Sequence, residues 1–391
     1  MHLVSTSPQH RCRTTVVPQR WLRAAPRPLG PAKLTCSHNQ GSLWLSTLAA
    51  GGVLVARRRR MRPRRAASRT PLELPELAVG TWAWGNRLLW QYDPAMDAEL
   101  RRVFECCVNG GAFLFDTADT YGTGDLDCRS ETLLGEFSQG LPSPPWPLPQ
   151  PRVVLATKWA PKPWRLTRES LVDACQDSIA RMGRVDLGQL HWPPAFFHEE
   201  QLLDGLADVY EYGLVRGVGL SNYGPKGLRR VAERLGRRGV PLATVQVQFS
   251  LLTENNDELI ETCRELGVCP IAYSPLCLGV LSGKYSGPNG APLPPPPRGW
   301  LFGSLLGDEN LQKLLEVMAA IGQARGKTTA QVAINWCICK GAVPLVGAKT
   351  LEQARENLGA VGWRLSESEV HELDTVASRA PRTQPNPVSV P

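Results

Sequence analysis

From Pro75 onward the chain alternates short apolar runs with segments of helical period, and it does so eight times. The apolar runs are 77–81, 112–116, 153–158, 187–191, 215–221, 244–249, 270–274 and 343–347. Each is too short for a stable helix and is bounded by turn-forming or charged residues, so each reads as a strand. Between them, Leu100, Val103, Phe104, Cys107 and Val108 fall at i, i+3, i+4, i+7 and i+8, the stripe of a helix packed on one side. Asn109-Gly110-Gly111 stops that helix. Similar stripes run through Leu202, Leu203, Leu206, Val209 and Tyr210, through Leu228, Val231, Ala232 and Leu235, and through Leu259, Ile260, Cys263 and Leu266. Eight strands with intervening helices predict an α/β fold, a parallel eight-stranded (β/α)8 barrel of the TIM type. A doubly wound sheet usually carries a Gly-rich phosphate turn after its first strand. Gly80-Thr81-Trp82-Ala83-Trp84-Gly85 is not that fingerprint.

Charge divides the chain in two. The net +8 hides a segment, 1–72, with thirteen Arg, one Lys and no acid, before the first carboxylate at Glu73. Residues 73–391 carry 30 basic and 36 acidic side chains, so the folded body loses the electrostatic footprint of a nucleic-acid binder. An acid-free, Arg-, Ser- and Pro-rich start has the composition of an organelle transit peptide. The expected organisation is a removable targeting segment at 1–72, a barrel at 73–380 and a tail at 381–391. A plastid is the expected destination, with a mitochondrion the weaker alternative. Within the leader, an apolar run at 43–56 is followed at once by four Arg at 57–60. It falls short of the ~20 residues a membrane span needs. It suits an ordinary transit peptide or a transient stop in a multi-part plastid signal, and the mature protein is expected to have no stable membrane association.

The nine Cys of the body include no CxxC pair, so no zinc or dithiol site is expected and the thiols read as small core residues. No coiled-coil heptad marks an oligomer seam. Two Pro-rich stretches, 141–151 and 286–299, break the rhythm and must be surface loops, because Pro lacks a backbone donor. The second follows the seventh strand, on the face where barrels place binding loops. It reads as a flap over a ligand or as a tolerated insertion.

In a parallel barrel the C-terminal strand ends converge on one rim, so polar residues ending apolar strands can meet there. Asp116, Lys158 and His191 occupy such positions, and Tyr121 follows Asp116 in a turn-rich connection able to bring its phenol over the rim. Singly, a strand-end Asp or Lys more often forms an ion pair, a Tyr packs, and a His is a hydrogen-bonded core residue. All four together weigh differently.

The stretches FDTADTYG, VVLATK, DLGQLHWP, VRGVGLSNYGP, VQVQFSLL, IAYSPLCLGVLSGKY and VPLVGAKTLEQARENLGA resemble, in order, the successive signatures of the aldo-keto reductase superfamily, and they cover about 75–380. GTWAWGN, GQLHW, LSNYGP and QVAINWCICKGAVP further resemble the plastid pyridoxal reductases of plants. The resemblance implies a catalytic tetrad of Asp116, Tyr121, Lys158 and His191. Tyr121 would donate the proton, with Lys158 lowering its pKa, Asp116 holding Lys158, and His191 orienting the carbonyl. It implies NADPH as cofactor and no metal. Ser221, Asn222 and Gln246 would meet the nicotinamide amide and Tyr273 would stack on the ring. Ser282, Gly283 and Lys284 would reach the pyrophosphate, Gly347 would let the backbone approach phosphate, and Gln353, Glu356 and Asn357 would take the adenosine. Lys349 would take the 2′-phosphate, although other superfamily members place an Arg and a Ser in this segment.

Twelve Trp is a high count, and Trp82, Trp84, Trp90, Trp159 and Trp192 lie near strand ends. Flat aromatic walls suit an aromatic aldehyde, or the Trp simply close the barrel mouth. The expected reaction is reduction of an aldehyde to an alcohol, pyridoxal to pyridoxine in vitamin B6 salvage. A broad plastid carbonyl reductase is the rival enzyme. An NADPH-binding regulatory subunit like the potassium-channel β subunits is the rival of another class.

Overall fold

The computed structural model describes residues 72–139, 153–194, 198–254, 257–285, 291–296 and 298–383. All eight expected strands form: β1 (Ala78–Gly80), β2 (Leu114–Asp116), β3 (Val154–Trp159), β4 (Leu187–Leu190), β5 (Gly217–Ser221), β6 (Leu242–Gln248), β7 (Cys269–Tyr273) and β8 (Val343–Gly347). They pair in parallel in chain order, and β8 returns to β1 to close the barrel. Boundaries move by one or two residues, so His191 lies just past the end of β4 and Asp116 closes β2.

The helices are α1 (Arg87–Trp90), α2 (Asp97–Asn109), α3 (Arg129–Gln139), α4 (Arg168–Met182), α5 (Glu199–Glu211), α6 (Pro225–Gly236), α7 (Asp257–Leu266), α8 (Arg298–Leu306), α9 (Glu309–Arg325), α10 (Thr329–Cys339), α11 (Leu351–Leu358) and α12 (Glu367–Ala377). The stripe read for α2 is its buried face, residue for residue. Burying each such Leu, Val or Phe contributes about 1.5–3 kcal/mol before chain entropy is subtracted. Side chains satisfy the helix starts: Thr167 with Ser170 on α4, Thr328 with Gln331 on α10 and Ser366 with Glu369 on α12 close capping boxes. Three helices, α8 to α10, intervene between β7 and β8, where the second Pro-rich stretch leads into α8.

The period-2 alternation of the strands divides the core into layers. One cluster inside the barrel is built by Ala78, Leu114, Val154, Ala156, Leu187, Ile271 and Leu345. A far larger one lies between the strands and their helices. Continuing the inward rows of four strands by two residues toward the C-terminal rim changes their chemistry. Leu114 is followed by Asp116, Ala156 by Lys158, Leu187 by Gln189, and Ile271 by Tyr273. The barrel is thus apolar at one end and polar at the other, where its strands end.

The leader through residue 71, the Pro-rich stretch at 141–151 and the tail beyond Thr383 lie outside the described residues, as do positions 286–290 of the second Pro-rich stretch. Among the described residues no helix is long and apolar enough to cross a membrane. No group of His, Cys, Asp and Glu there could hold a metal ion. The nine cysteines described are free thiols.

Candidate active site

At the polar end of the barrel, Lys158 Nζ forms an ion pair with Asp116 Oδ1, and both side chains are 1% exposed. Nζ also donates to the Thr117 carbonyl at 2.7 Å and lies 4.8 Å from the centre of the Tyr121 ring. The second carboxylate oxygen, Asp116 Oδ2, accepts from Gln189 Nε2 at 2.7 Å. The Tyr121 and His191 rings meet edge to face with centroids 5.9 Å apart. Four residues from three strand ends and one loop therefore share one mouth.

The loop carrying Tyr121 is tied down along its length. Thr117 N donates to the Ala156 carbonyl at 2.9 Å and Asp119 N to the Lys158 carbonyl at 3.0 Å, extending the β2–β3 ladder past the strand. Asp119 also accepts from Ala160 N at 3.2 Å and pairs with Arg165 at 2.7 Å. Ser130 Oγ reaches back to Thr81 Oγ1 at 2.6 Å. Directly after Tyr121, Gly122 has φ +152°, and a Cβ there would sit 1.8 Å from the Leu126 carbonyl oxygen. Any side chain at this position would displace the loop that sets the phenol.

Electrostatics differ in one respect from the sequence expectation. Burial raises the Tyr121 pKa above its ordinary value; Lys158 pulls it down, and Asp116 pushes it up. Burial outweighs the ammonium, so the phenol is kept as a proton-bearing donor rather than tuned toward phenolate. For Lys158, burial alone would favour the neutral amine, but Asp116 and Tyr121 together hold its pKa above the usual lysine value. His191 is driven well below the usual histidine value, first by burial and then by the Lys158 charge. Its imidazole is neutral near pH 7 and offers one N–H donor.

Beside this group lies a set of amides. Asn222, at φ +66°, donates through Nδ2 to the His191 carbonyl at 3.1 Å and to Ser221 Oγ at 3.0 Å. Its Oδ1 accepts from Tyr273 OH at 2.9 Å. Gln246, paired with Ser221 across β5 and β6, has a buried Nε2 with no hydrogen-bond partner among the described residues. An unpartnered buried donor costs about 1–3 kcal/mol, which a ligand carbonyl would relieve. This donor set fits the carboxamide of a nicotinamide.

A cleft of about 490 Å³ is lined in part by Ser282, Gly283, Lys284, Lys327, Thr329 and Glu356. Four residues expected at the cofactor, Ser282, Gly283, Lys284 and Glu356, share this cleft with Lys327 and Thr329, which the sequence reading did not single out. Gly347 and Asn357 meet separately, Asn357 Nδ2 donating to the Gly347 carbonyl at 3.2 Å. Gln353 is exposed and accepts from Lys349 N at 2.8 Å. Lys349 does not line the cleft. Its Nζ donates to the Trp90 carbonyl at 2.9 Å, and burial and then the Arg298 charge lower its pKa. Arg298, from the start of α8, lies 4.7 Å over the Trp90 ring and also escaped the sequence reading.

Of the aromatic residues, Trp90, Trp82, Tyr121, His191 and Trp192 form a continuous wall, with successive centroids 5.9, 6.5, 5.9 and 5.5 Å apart. Trp192 stacks on His191 at an interplanar angle of 18°. Two of the expected rim residues lie elsewhere. Trp84 is fully buried, packs on Phe115 and Phe137, and donates through Nε1 to the Ala348 carbonyl at 2.9 Å. Trp159 is likewise buried, with Nε1 on Ser178 at 3.1 Å. Trp159 follows the inward Lys158 by one residue and so faces the helices, while Trp84 lies in the turn beyond β1, and both belong to the cluster between barrel and helices.

Comparison with known proteins agrees with the barrel fold. The aldo/keto reductase family profile matches residues 76–378. The chain is 47% identical to the chloroplastic pyridoxal reductase of Arabidopsis thaliana over 80% of this chain and 86% of that one. A thermostable aldo-keto reductase solved with the inhibitor epalrestat superposes with a TM-score of 0.60 at 26% identity, over 80% of this chain and 98% of that one. An aldo-keto reductase from Klebsiella pneumoniae, solved in complex with NADPH, shares the fold with a TM-score of 0.61 at 22% identity, over 81% and 95%. The barrel, the polar strand ends and a match over nearly all the described residues place this chain in the aldo/keto reductase family, and it is an oxidoreductase.

Proposed function

We propose that this protein reduces pyridoxal to pyridoxine with NADPH. The observation that carries the reading is the buried Asp116–Lys158 pair set against Tyr121 and the neutral His191, at a mouth walled by aromatic rings. NADPH, when bound, supplies the hydride that reaches the aldehyde carbon. The protein's own groups handle the oxygen. As negative charge develops there, the Tyr121 hydroxyl gives up its proton, and the Lys158 ammonium stabilises the phenolate left behind until solvent returns a proton. Asp116 keeps that ammonium in place and offsets its charge. The neutral His191 can donate a hydrogen bond to the carbonyl without adding a second cation beside Lys158.

Ser221, Asn222, Gln246 and Tyr273 would hold the nicotinamide end. Lys284, which shares a cleft with Lys327, would reach the pyrophosphate, and Lys349 would take the 2′-phosphate. A flat heteroaromatic aldehyde would lie against the aromatic wall to which Trp82, Trp90 and Trp192 belong. The 47% identity to a relative named pyridoxal reductase supports this substrate. Trp84 is left out of the substrate wall because it is buried behind it.

A panel of aldehydes tests the reading. NADPH oxidation by the purified protein should give a kcat/KM for pyridoxal at least about tenfold above that for glyoxal or nitrobenzaldehyde, a margin of roughly 1.4 kcal/mol. The reverse preference would indicate a broad carbonyl reductase, and tight cofactor binding without turnover a regulatory subunit. We further infer that residues 1–72 are a plastid transit segment, in keeping with their composition and the relative's chloroplastic name. N-terminal sequencing of the protein from plastids should begin between Arg57 and Glu73; an intact Met1 would refute this.

A further inference from the structure

Gln189 is a fully buried polar residue inside the barrel, two positions before His191. Its amide spans the interior: Nε2 donates to Asp116 Oδ2 at 2.7 Å on β2, and Oε1 accepts from Thr244 Oγ1 at 3.4 Å on β6. Because Lys158 takes Asp116 Oδ1, the carboxylate is gripped on both oxygens, by a cation on one and a neutral amide on the other. The crossing needs space, and β5 provides it. A Cβ on Gly219 would lie 2.2 Å from Thr244 Oγ1 and 3.0 Å from Gln189 Cγ, so the absence of a side chain there leaves room for the two polar groups to meet.

We propose that Gln189 is a positioning residue for the reduction, holding Asp116 in the orientation that keeps the Lys158 ammonium against Tyr121. The proposal rests on Tyr121 being the proton donor. An amide suits the task because it donates a hydrogen bond but does not titrate, and so leaves the net charge of the ion pair unchanged. A hydrocarbon would leave Asp116 Oδ2 buried and unsatisfied. A carboxylate would face a second carboxylate at hydrogen-bond distance, and the two would share one proton. The titratable groups around Asp116 are Lys158 from β3, Tyr121 from the loop after β2 and His191 from the end of β4. From β5 and β6, Gln189 meets the uncharged Gly219 and Thr244.

The test uses the full chain with pyridoxal and NADPH, comparing Gln189→Leu, Gln189→Glu and Tyr121→Phe with the parent from pH 5.5 to 9. Nicotinamide fluorescence measures cofactor binding in each. Gln189→Leu should lower kcat about 10- to 100-fold, the loss expected for one hydrogen bond to a charged group, with KM and NADPH affinity within about twofold. Gln189→Glu should approach the parent at the acid end, where the shared proton still supplies a donor. Its kcat relative to the parent should then fall at least about tenfold as pH rises. A residue that only fills space would give no such pH dependence. Parental kcat in Gln189→Leu, or a pH-independent ratio for Gln189→Glu, would overturn the proposal while Tyr121→Phe remains inactive. Turnover surviving in Tyr121→Phe would remove the donor itself, and the proposal with it.

Discussion

Tyr121→Phe should lower kcat by at least about 10³-fold while leaving NADPH affinity within about twofold. The change deletes one oxygen and keeps the ring, so the contacts with Trp82 and His191 survive. What disappears is the group proposed to deliver a proton to the carbonyl oxygen, and general acids contribute about 10²–10⁴-fold. Water is a poor substitute in a mouth lined by Trp82, Trp90 and Trp192. Because burial keeps the phenol protonated, the parent should show no loss of donor as pH rises through the neutral range. The comparison is read from steady-state rates beside a cofactor titration. Turnover within tenfold of the parent would show that the proton comes from elsewhere.

The second large effect belongs to Lys158→Met, which should reduce both activity and stability. Asp116 would keep its hydrogen bond from Gln189 but lose its only cation among the described residues, while remaining 1% exposed. Removing one partner of a buried ion pair costs about 3–5 kcal/mol, because the other charge is left uncompensated. The phenolate would also lose its stabiliser, so kcat should fall at least about 10²-fold. The pH dependence has a definite sign. The Lys158 pKa is raised in the folded state, so its stabilisation is complete below the ordinary lysine value of about 10.4 and is lost as pH rises through the folded value. The raised Tyr121 pKa acts in the same direction. Urea denaturation from pH 7 to 11 should show the parent losing stability at the alkaline end and Lys158→Met losing less. A variant as stable as the parent at pH 7 would contradict the buried-pair account.

The barrel was legible because its strands are short, apolar and separated by helices with clear stripes; the 100–108 stripe became the buried face of α2 without change. Asp116, Lys158 and His191 could be found because each ends an apolar run, and Tyr121 because its loop is rich in turn formers. Gln189 was missed for a related reason. It lies inside a strand, and only the period-2 row Leu187, Gln189, His191 shows that it shares the inward face with the candidate residues. Trp84 and Trp159 were misplaced because proximity to a strand end does not say which way a side chain points. The hydrogen bond from Lys349 to the Trp90 carbonyl joins residues 259 apart in the chain, which no local pattern encodes.

The most direct measurement follows the hydrogen atom. With pyridoxal and NADPH deuterated at the transferable C4 position, the purified protein should yield pyridoxine one mass unit heavier, with the deuterium on the former aldehyde carbon. Tyr121→Phe should bind the same NADPH and yield almost none. Unlabelled pyridoxine from the parent, or no pyridoxine under conditions where another aldehyde is reduced, would contradict the account.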